Sequence, residues 1–202
     1  MFIKDRYLIG SLLLFGLLTI VNGQIYTFTP FYGSTHCQGQ PNGVGFGAIE
    51  FQCSLNFSND ASFMIYNIYG TNQYNLSYDL HPGCDDYVHD QVFDLGECTY
   101  SPWAYSAYTF TQVEVFQDVK IPSSSVVFQA TNSDCLSVQS YWYATNGTVI
   151  SDRGDPWGTT AYYCQNGQPF QRRCTPSAPC QTGPITLDTC TSDNPFIVTC
   201  SQ

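Results

Sequence analysis

Hydrophobic and polar residues alternate along this chain in short runs, and almost nowhere at the spacing of an amphipathic helix. The first segment is the exception. Lys4 and Arg6 precede the stretch Leu8 to Val21, which is apolar apart from Gly10, Ser11, Gly16 and Thr19, and Val21-Asn22-Gly23 follows. A basic start, an apolar middle and a small-residue end form the pattern of a secretory signal peptide, predicted to span 1–23 and to leave Gln24 as the new terminus. The apolar run falls short of the roughly 20 residues that span a bilayer as helix.

From residue 24 onward Gly, Pro, Asn, Ser and Thr recur too often for long helices. Between these breakers lie β-rich runs. They predict strands over 48–55, 62–69, 74–80, 105–116, 125–130, 136–144, 148–151, 160–164 and 195–200. Many short strands separated by turn residues imply an all-β protein, a disulfide-rich β-sandwich or barrel-like fold. Asn146-Gly147 suits a two-residue type I′ turn. That turn would pair Tyr143 with Ile150 and set Trp142 beside Val149. Gly43-Val44-Gly45-Phe46-Gly47 has neither a following helix nor a basic residue, so it reads as a turn into a strand rather than a phosphate loop.

Ten cysteines lie in the predicted mature part: Cys37, Cys53, Cys84, Cys98, Cys135, Cys164, Cys174, Cys180, Cys190 and Cys200. An even number in an oxidising compartment implies five disulfides, and the absence of any Cys-x-x-Cys pair argues against structural zinc. Lys120-Ile121-Pro122-Ser123-Ser124-Ser125 reads as a linker. Four cysteines precede it and six follow. The chain therefore divides either into two lobes, 24–121 and 122–202, each closing its own bridges, or not at all, as one compact unit. The sequons at Asn56, Asn75 and Asn146 are candidate glycan acceptors and agree with the same compartment.

Charge narrows the choice of partner. Only 11% of residues are charged and the formal net charge is −10, which becomes −11 once Lys4, Asp5 and Arg6 leave with the signal. Four basic residues remain, too few to neutralise a nucleic acid backbone or to hold an anionic membrane. No second segment reads as a membrane span. Aromatic residues make up 16% of the chain, which opposes disorder. Expected partners are an extracellular protein or a carbohydrate.

The densest ionisable cluster runs from His81 through Asp85, Asp86 and His89 to Asp90, with Asp94 and Glu97 beyond. A secreted hydrolase could draw a His and an Asp from it. The simpler reading is a solvated acidic loop between Cys84 and Cys98. No cofactor is implied, and any ion held there would be calcium, since carboxylate oxygens suit hard cations. Trp103, Tyr105, Tyr108 and Trp142 are candidate binding aromatics, because exposed Trp and Tyr stack on sugars and anchor protein interfaces. Along 141–143 a strand cannot bury Tyr141, Trp142 and Tyr143 on one face, so at least one points to solvent, a second layer or a partner. Arg153-Gly154-Asp155 resembles an adhesive tripeptide if a loop presents Arg153 and Asp155 outward. No nucleophile motif is present. The favoured function is non-enzymatic: a secreted, disulfide-stabilised glycoprotein acting as an extracellular binding, matrix or cell-surface component. The alternatives are the hydrolase and a secreted inhibitor or defence protein.

Overall fold

The computed structural model describes residues 24–55, 62–79, 81, 83–100, 109–116, 119–131, 135, 138–151, 158–186, 190–191 and 196–202. The predicted signal segment, Asn56, Trp103, Tyr105, Tyr108, Arg153 and Asp155 lie outside them. Every regular element among the described residues is a strand. In chain order these are β1 (Ile25–Tyr32), β2 (Val44–Ile49), β3 (Ser54–Leu55), β4 (Ser62–Asn67), β5 (Gln73–Asp79), β6 (Tyr87–Asp94), β7 (Cys98–Tyr100) and β8 (Thr109–Phe116). Then follow β9 (Val126–Thr131), β10 (Val138–Ala144), β11 (Thr148–Ser151), β12 (Thr159–Gln165), β13 (Gln168–Thr175), β14 (Ala178–Pro184) and β15 (Phe196–Cys200). They form a seven-stranded sheet ordered β15-β9-β10-β2-β1-β8-β7 and two four-stranded sheets, β3-β4-β5-β6 and β11-β12-β13-β14. The disulfide-rich all-β class is therefore as the residue pattern predicts.

Alternation explains the core. On β1, Tyr26 and Phe28 point one way and Ile25, Thr27, Thr29 and Phe31 the other. Tyr26 and Phe28 meet Phe46, Val113, Trp142 and Val198 from the same sheet. Against them lie Phe63, Ile65, Leu76 and Phe93 of the second sheet and Ile150 and Tyr162 of the third, so all three sheets share one apolar cluster. Phe28 stacks on Phe46 with centroids 4.1 Å apart, and Phe93 meets Phe28 edge-on at 5.4 Å. Pro30 is tolerated within β1 because pairing with β2 ends at Phe28. The side of Pro30 that lacks an N–H faces the span beyond that ladder, where its carbonyl accepts the Asn42 N–H at 3.0 Å.

The other face of the seven-stranded sheet is covered too. Ile25, Val127, Tyr141 and Tyr143 form a second buried cluster, packed by Ile49, Val119 and Ile121. The start of the 120–125 segment predicted as a linker is thus, together with Val119, a strap over this face. Ser125 ties it down: its hydroxyl donates to the Pro122 carbonyl at 2.7 Å, and its N–H bonds the Ser201 hydroxyl, also at 2.7 Å. Glycine in β2 has a steric cause. Tyr143 lies opposite Gly45 and Tyr141 opposite Gly47, and a Cβ at either glycine would come within 2.2 Å of the facing ring.

Several expectations change. The predicted 48–55 strand is broken at Glu50-Phe51 into the end of β2 and the short β3. Strands β1, β6, β7, β13 and β14 were not predicted. The 145–148 turn forms, with the Thr148 N–H on the Thr145 carbonyl at 2.9 Å, but it is not a hairpin. Only Gly147 has positive φ there, whereas type I′ needs it at both positions. The strands on either side separate into different sheets: β10 pairs with β9 and β2, and β11 with β12. A type I′ hairpin instead forms at another Asn-Gly, Asn166-Gly167, with φ of 53° and 77°, between β12 and β13.

All ten cysteines pair, as Cys37–Cys98, Cys53–Cys84, Cys135–Cys190, Cys164–Cys200 and Cys174–Cys180. The pairing keeps to either side of residue 121/122. The hydrogen-bonded sheet does not: β10 from the later part pairs directly with β2 from the earlier one.

Candidate functional site

The acidic region is built around Asp79, a residue inside the predicted 74–80 strand that the sequence pattern does not single out. Asp79 closes β5 and is 2% exposed. Its Oδ1 accepts the His81 N–H at 2.8 Å, and its Oδ2 accepts those of Asp85 at 3.1 Å and Asp86 at 3.0 Å. The N–H donors of Asp86 and His81 hold this carboxyl below its ordinary value, against the opposing effect of desolvation. Ser62 completes the wrap, donating to the His81 carbonyl at 2.7 Å and accepting the Cys84 N–H at 2.9 Å, and Cys53–Cys84 closes it covalently. The 81–86 segment is a loop organised by one carboxylate, with His81, Asp85 and Asp86 exposed on its rim.

Beyond the loop the acidic stretch is strand β6, not a solvated loop. His89 pairs with Tyr78 and Asp90 with Ser77, so His89 and Asp90 project from opposite faces. Asp90 accepts the Ser77 hydroxyl, and the Asn75 amide donates to Tyr66, Ser77 and Asp90. Among the described residues no three His, Cys, Asp or Glu side chains converge as a metal-ligand set. The carboxylates considered for calcium are dispersed, with Asp85 and Asp86 on the loop rim and Asp90 and Asp94 on one face of β6. The Asn75 row also corrects one sequon. Asn75 is 7% exposed and its amide nitrogen is committed inside the row, so a glycan on that nitrogen is incompatible with this packing.

Trp142 is corrected as a binding anchor. It is 6% exposed, lies 4.8 Å from Phe46 and 5.8 Å from Phe63 by ring centroid, and donates its indole N–H to the Leu55 carbonyl at 3.0 Å. Tyr141 and Tyr143 turn to the opposite face, into the second layer under the strap. The run 141–143 thus buries all three rings by using both sides of one sheet.

Accessible aromatic surface lies at the other end of that sheet. Tyr100, Phe110 and Phe31 are aligned across β7, β8 and β1 and share a face. Tyr100 is 46% exposed, and its ring meets Phe110 edge-on at 5.7 Å. Tyr32, 51% exposed, follows Phe31 on the opposite face. Cys37–Cys98 fixes the start of β7 to the 33–42 segment, and the Gln91 amide donates to the Tyr100 carbonyl at 3.0 Å. Residues 101–108, which carry Trp103, Tyr105 and Tyr108, connect Tyr100 to Thr109. Those three aromatics lie outside the described residues, and the flanking Tyr100 is a site that the sequence pattern did not single out. The signal was the alternation of aromatics with Thr at Tyr26–Thr29 and at Thr109–Thr111.

A second feature missed from sequence is the β13–β14 hairpin. Nearly all of β14 is exposed, Cys174–Cys180 clamps the tip, and Arg172 and Arg173 lie on β13. From Gly158 to Leu187 there is no Asp or Glu.

A protein-family model described as counting factor-associated protein A/B/C matches residues 6–202. No curated protein and no solved structure matches the chain.

Proposed function

We propose that this chain, which belongs to the counting factor-associated protein A/B/C family, is a secreted, disulfide-stapled glycoprotein that acts by binding an extracellular protein rather than by catalysis. Secretion is supported by the signal pattern of residues 1–23 and by the pairing of all ten cysteines, since such bridges persist in oxidising compartments. A protein partner is preferred to a carbohydrate because the family's description itself speaks of association with a factor.

The observation that carries the binding role is Tyr100, half-exposed on Phe110 at the edge of the large sheet. A ring held by another ring and left open on its far side gives contact area at low entropic cost. The test uses tagged full-length chain secreted by eukaryotic cells, with cross-linking and recovery of co-secreted proteins. Tyr100→Ala should leave secretion and the far-ultraviolet spectrum unchanged. It should weaken recovery of the partner by about 2 kcal/mol, roughly thirtyfold in Kd. Equal recovery by Tyr100→Ala removes this edge as the binding surface. Retention of the chain inside the cell removes the extracellular role.

A further inference from the structure

We propose that Asn146 carries an N-linked glycan whose first sugars lie in the cleft beside it, where they join the strap over the large sheet to the 40–42 segment. This rests on the secretory route proposed above, because the sugar is added there.

Asn146 is presented for the purpose. It is exposed at the corner between β10 and β11. Its carbonyl Oδ1 accepts the Cys164 N–H at 3.3 Å, which occupies the oxygen and leaves the amide nitrogen outside any hydrogen bond among the described residues. The turn beneath is rigid: the Gly43 N–H donates to the Thr145 hydroxyl at 2.8 Å, and the Thr145 and Thr148 hydroxyls bond each other at 2.8 Å. The contrast with Asn75, whose nitrogen is used inside the protein, shows that a sequon alone does not give this geometry.

Asn146 is itself one wall of a cleft of about 380 Å³, within the roughly 300–1,000 Å³ of small-ligand sites. Pro41 and Pro122 offer it apolar ring faces, and Gln40, Asn42 and Ser123 offer exposed amides and a hydroxyl. A pyranose carries the matching chemistry, with C–H groups on one face and hydroxyl or acetamido groups around the edge. The walls come from three segments distant in sequence, so a sugar bonded to them couples the strap, the 40–42 segment and the turn. Past the shared Pro41 and Pro122 the cleft continues to Thr29 and Ile121, which gives the chain of sugars a direction in which to extend.

The experiment compares three forms of the full-length secreted chain by glycopeptide mapping and amide hydrogen exchange: native, Asn146→Asp, and native trimmed by an endoglycosidase to a single N-acetylglucosamine. Asp keeps the oxygen that accepts from Cys164 and cannot carry the sugar. The expected result is a glycan on Asn146, with exchange at 40–43 and 119–124 roughly threefold faster in Asn146→Asp and unchanged elsewhere. The trimmed form should retain most of the protection. A glycan on Asn146 with equal exchange in native and Asn146→Asp chains overturns the cradle and leaves secretion standing. A secreted chain with Asn146 bare overturns the modification site. Absence from the medium overturns both the inference and the extracellular reading.

Discussion

Tyr141 and Tyr143 show how two like residues on one strand face can be held by different forces. Their rings stack across Gly47 and Gly45 with centroids 6.3 Å apart. Tyr141 bonds the buried Thr27 hydroxyl at 2.7 Å. Burial pushes its phenol up to about 12, an effect that the Thr27 bond partly offsets. Tyr143 is pushed up further by the same cause. Its hydroxyl is buried without a hydrogen-bond partner. Removing the two hydroxyls should therefore cost different amounts. Tyr141→Phe strands Thr27 and is expected to lose about 1–2 kcal/mol, while Tyr143→Phe should fall within about 0.5 kcal/mol of the native chain. Denaturant unfolding under oxidising conditions measures both, and equal losses would refute the distinction. Asp79 gives a pH-dependent counterpart. Its carboxyl is lowered in the folded state, so its contribution to stability is complete above the ordinary Asp value near 3.9 and is lost as pH falls through the lower folded value. Asp79→Asn should melt below the native chain at pH 7, with the gap closing on acidification. A gap that stays constant down to pH 2 would mean that the charge is irrelevant. Neither role is legible in sequence, where Asp79 is one of sixteen acids and the tyrosines are two of three consecutive rings.

At the scale of elements, the same dipeptide has two outcomes. Asn166-Gly167 closes a hairpin, whereas Asn146-Gly147 hands the chain from one sheet to another. Local turn chemistry permits the hairpin at both. What differs is the strand before the turn. β10 has a neighbour on each side, with Trp142 needed in the shared core and Tyr141 and Tyr143 filling the glycine rows of β2. With both edges of β10 occupied, β11 cannot pair with it. The missed strands share a related cause. β6 is rich in acids and reads as loop, yet it is the outer strand of its sheet, where charged side chains remain in water. The disulfides differ in leverage at this scale as well. Cys37–Cys98 spans 61 residues and Cys174–Cys180 only 6. On the chain-entropy account, replacing the first pair by Ser should cost about 4 kcal/mol and the second about 2 kcal/mol. Guanidinium titration of the two double variants compares them, and a larger loss from the short loop would show that native packing outweighs loop length.

Across the whole molecule, bridges and hydrogen bonds divide the chain differently. The bridges keep 24–121 and 122–202 separate, but the central β2–β10 pair and the shared core join them. Two halves held by such a seam should unfold together. Calorimetry of the oxidised chain is expected to give one transition, with matching calorimetric and van't Hoff enthalpies. Two resolved transitions would restore the two-lobe division. The sequence by itself determined the β class, the existence of a disulfide framework and most strand positions, because alternation and cysteine number are local or additive properties. Tertiary structure decided the rest. Which asparagine nitrogen is used inside the fold, which Asn-Gly becomes a hairpin, and why Trp142 is core while Tyr100 is surface all depend on which strand lies next to which. Strand neighbours are chosen by burial summed over three sheets, and no window of the chain contains that sum.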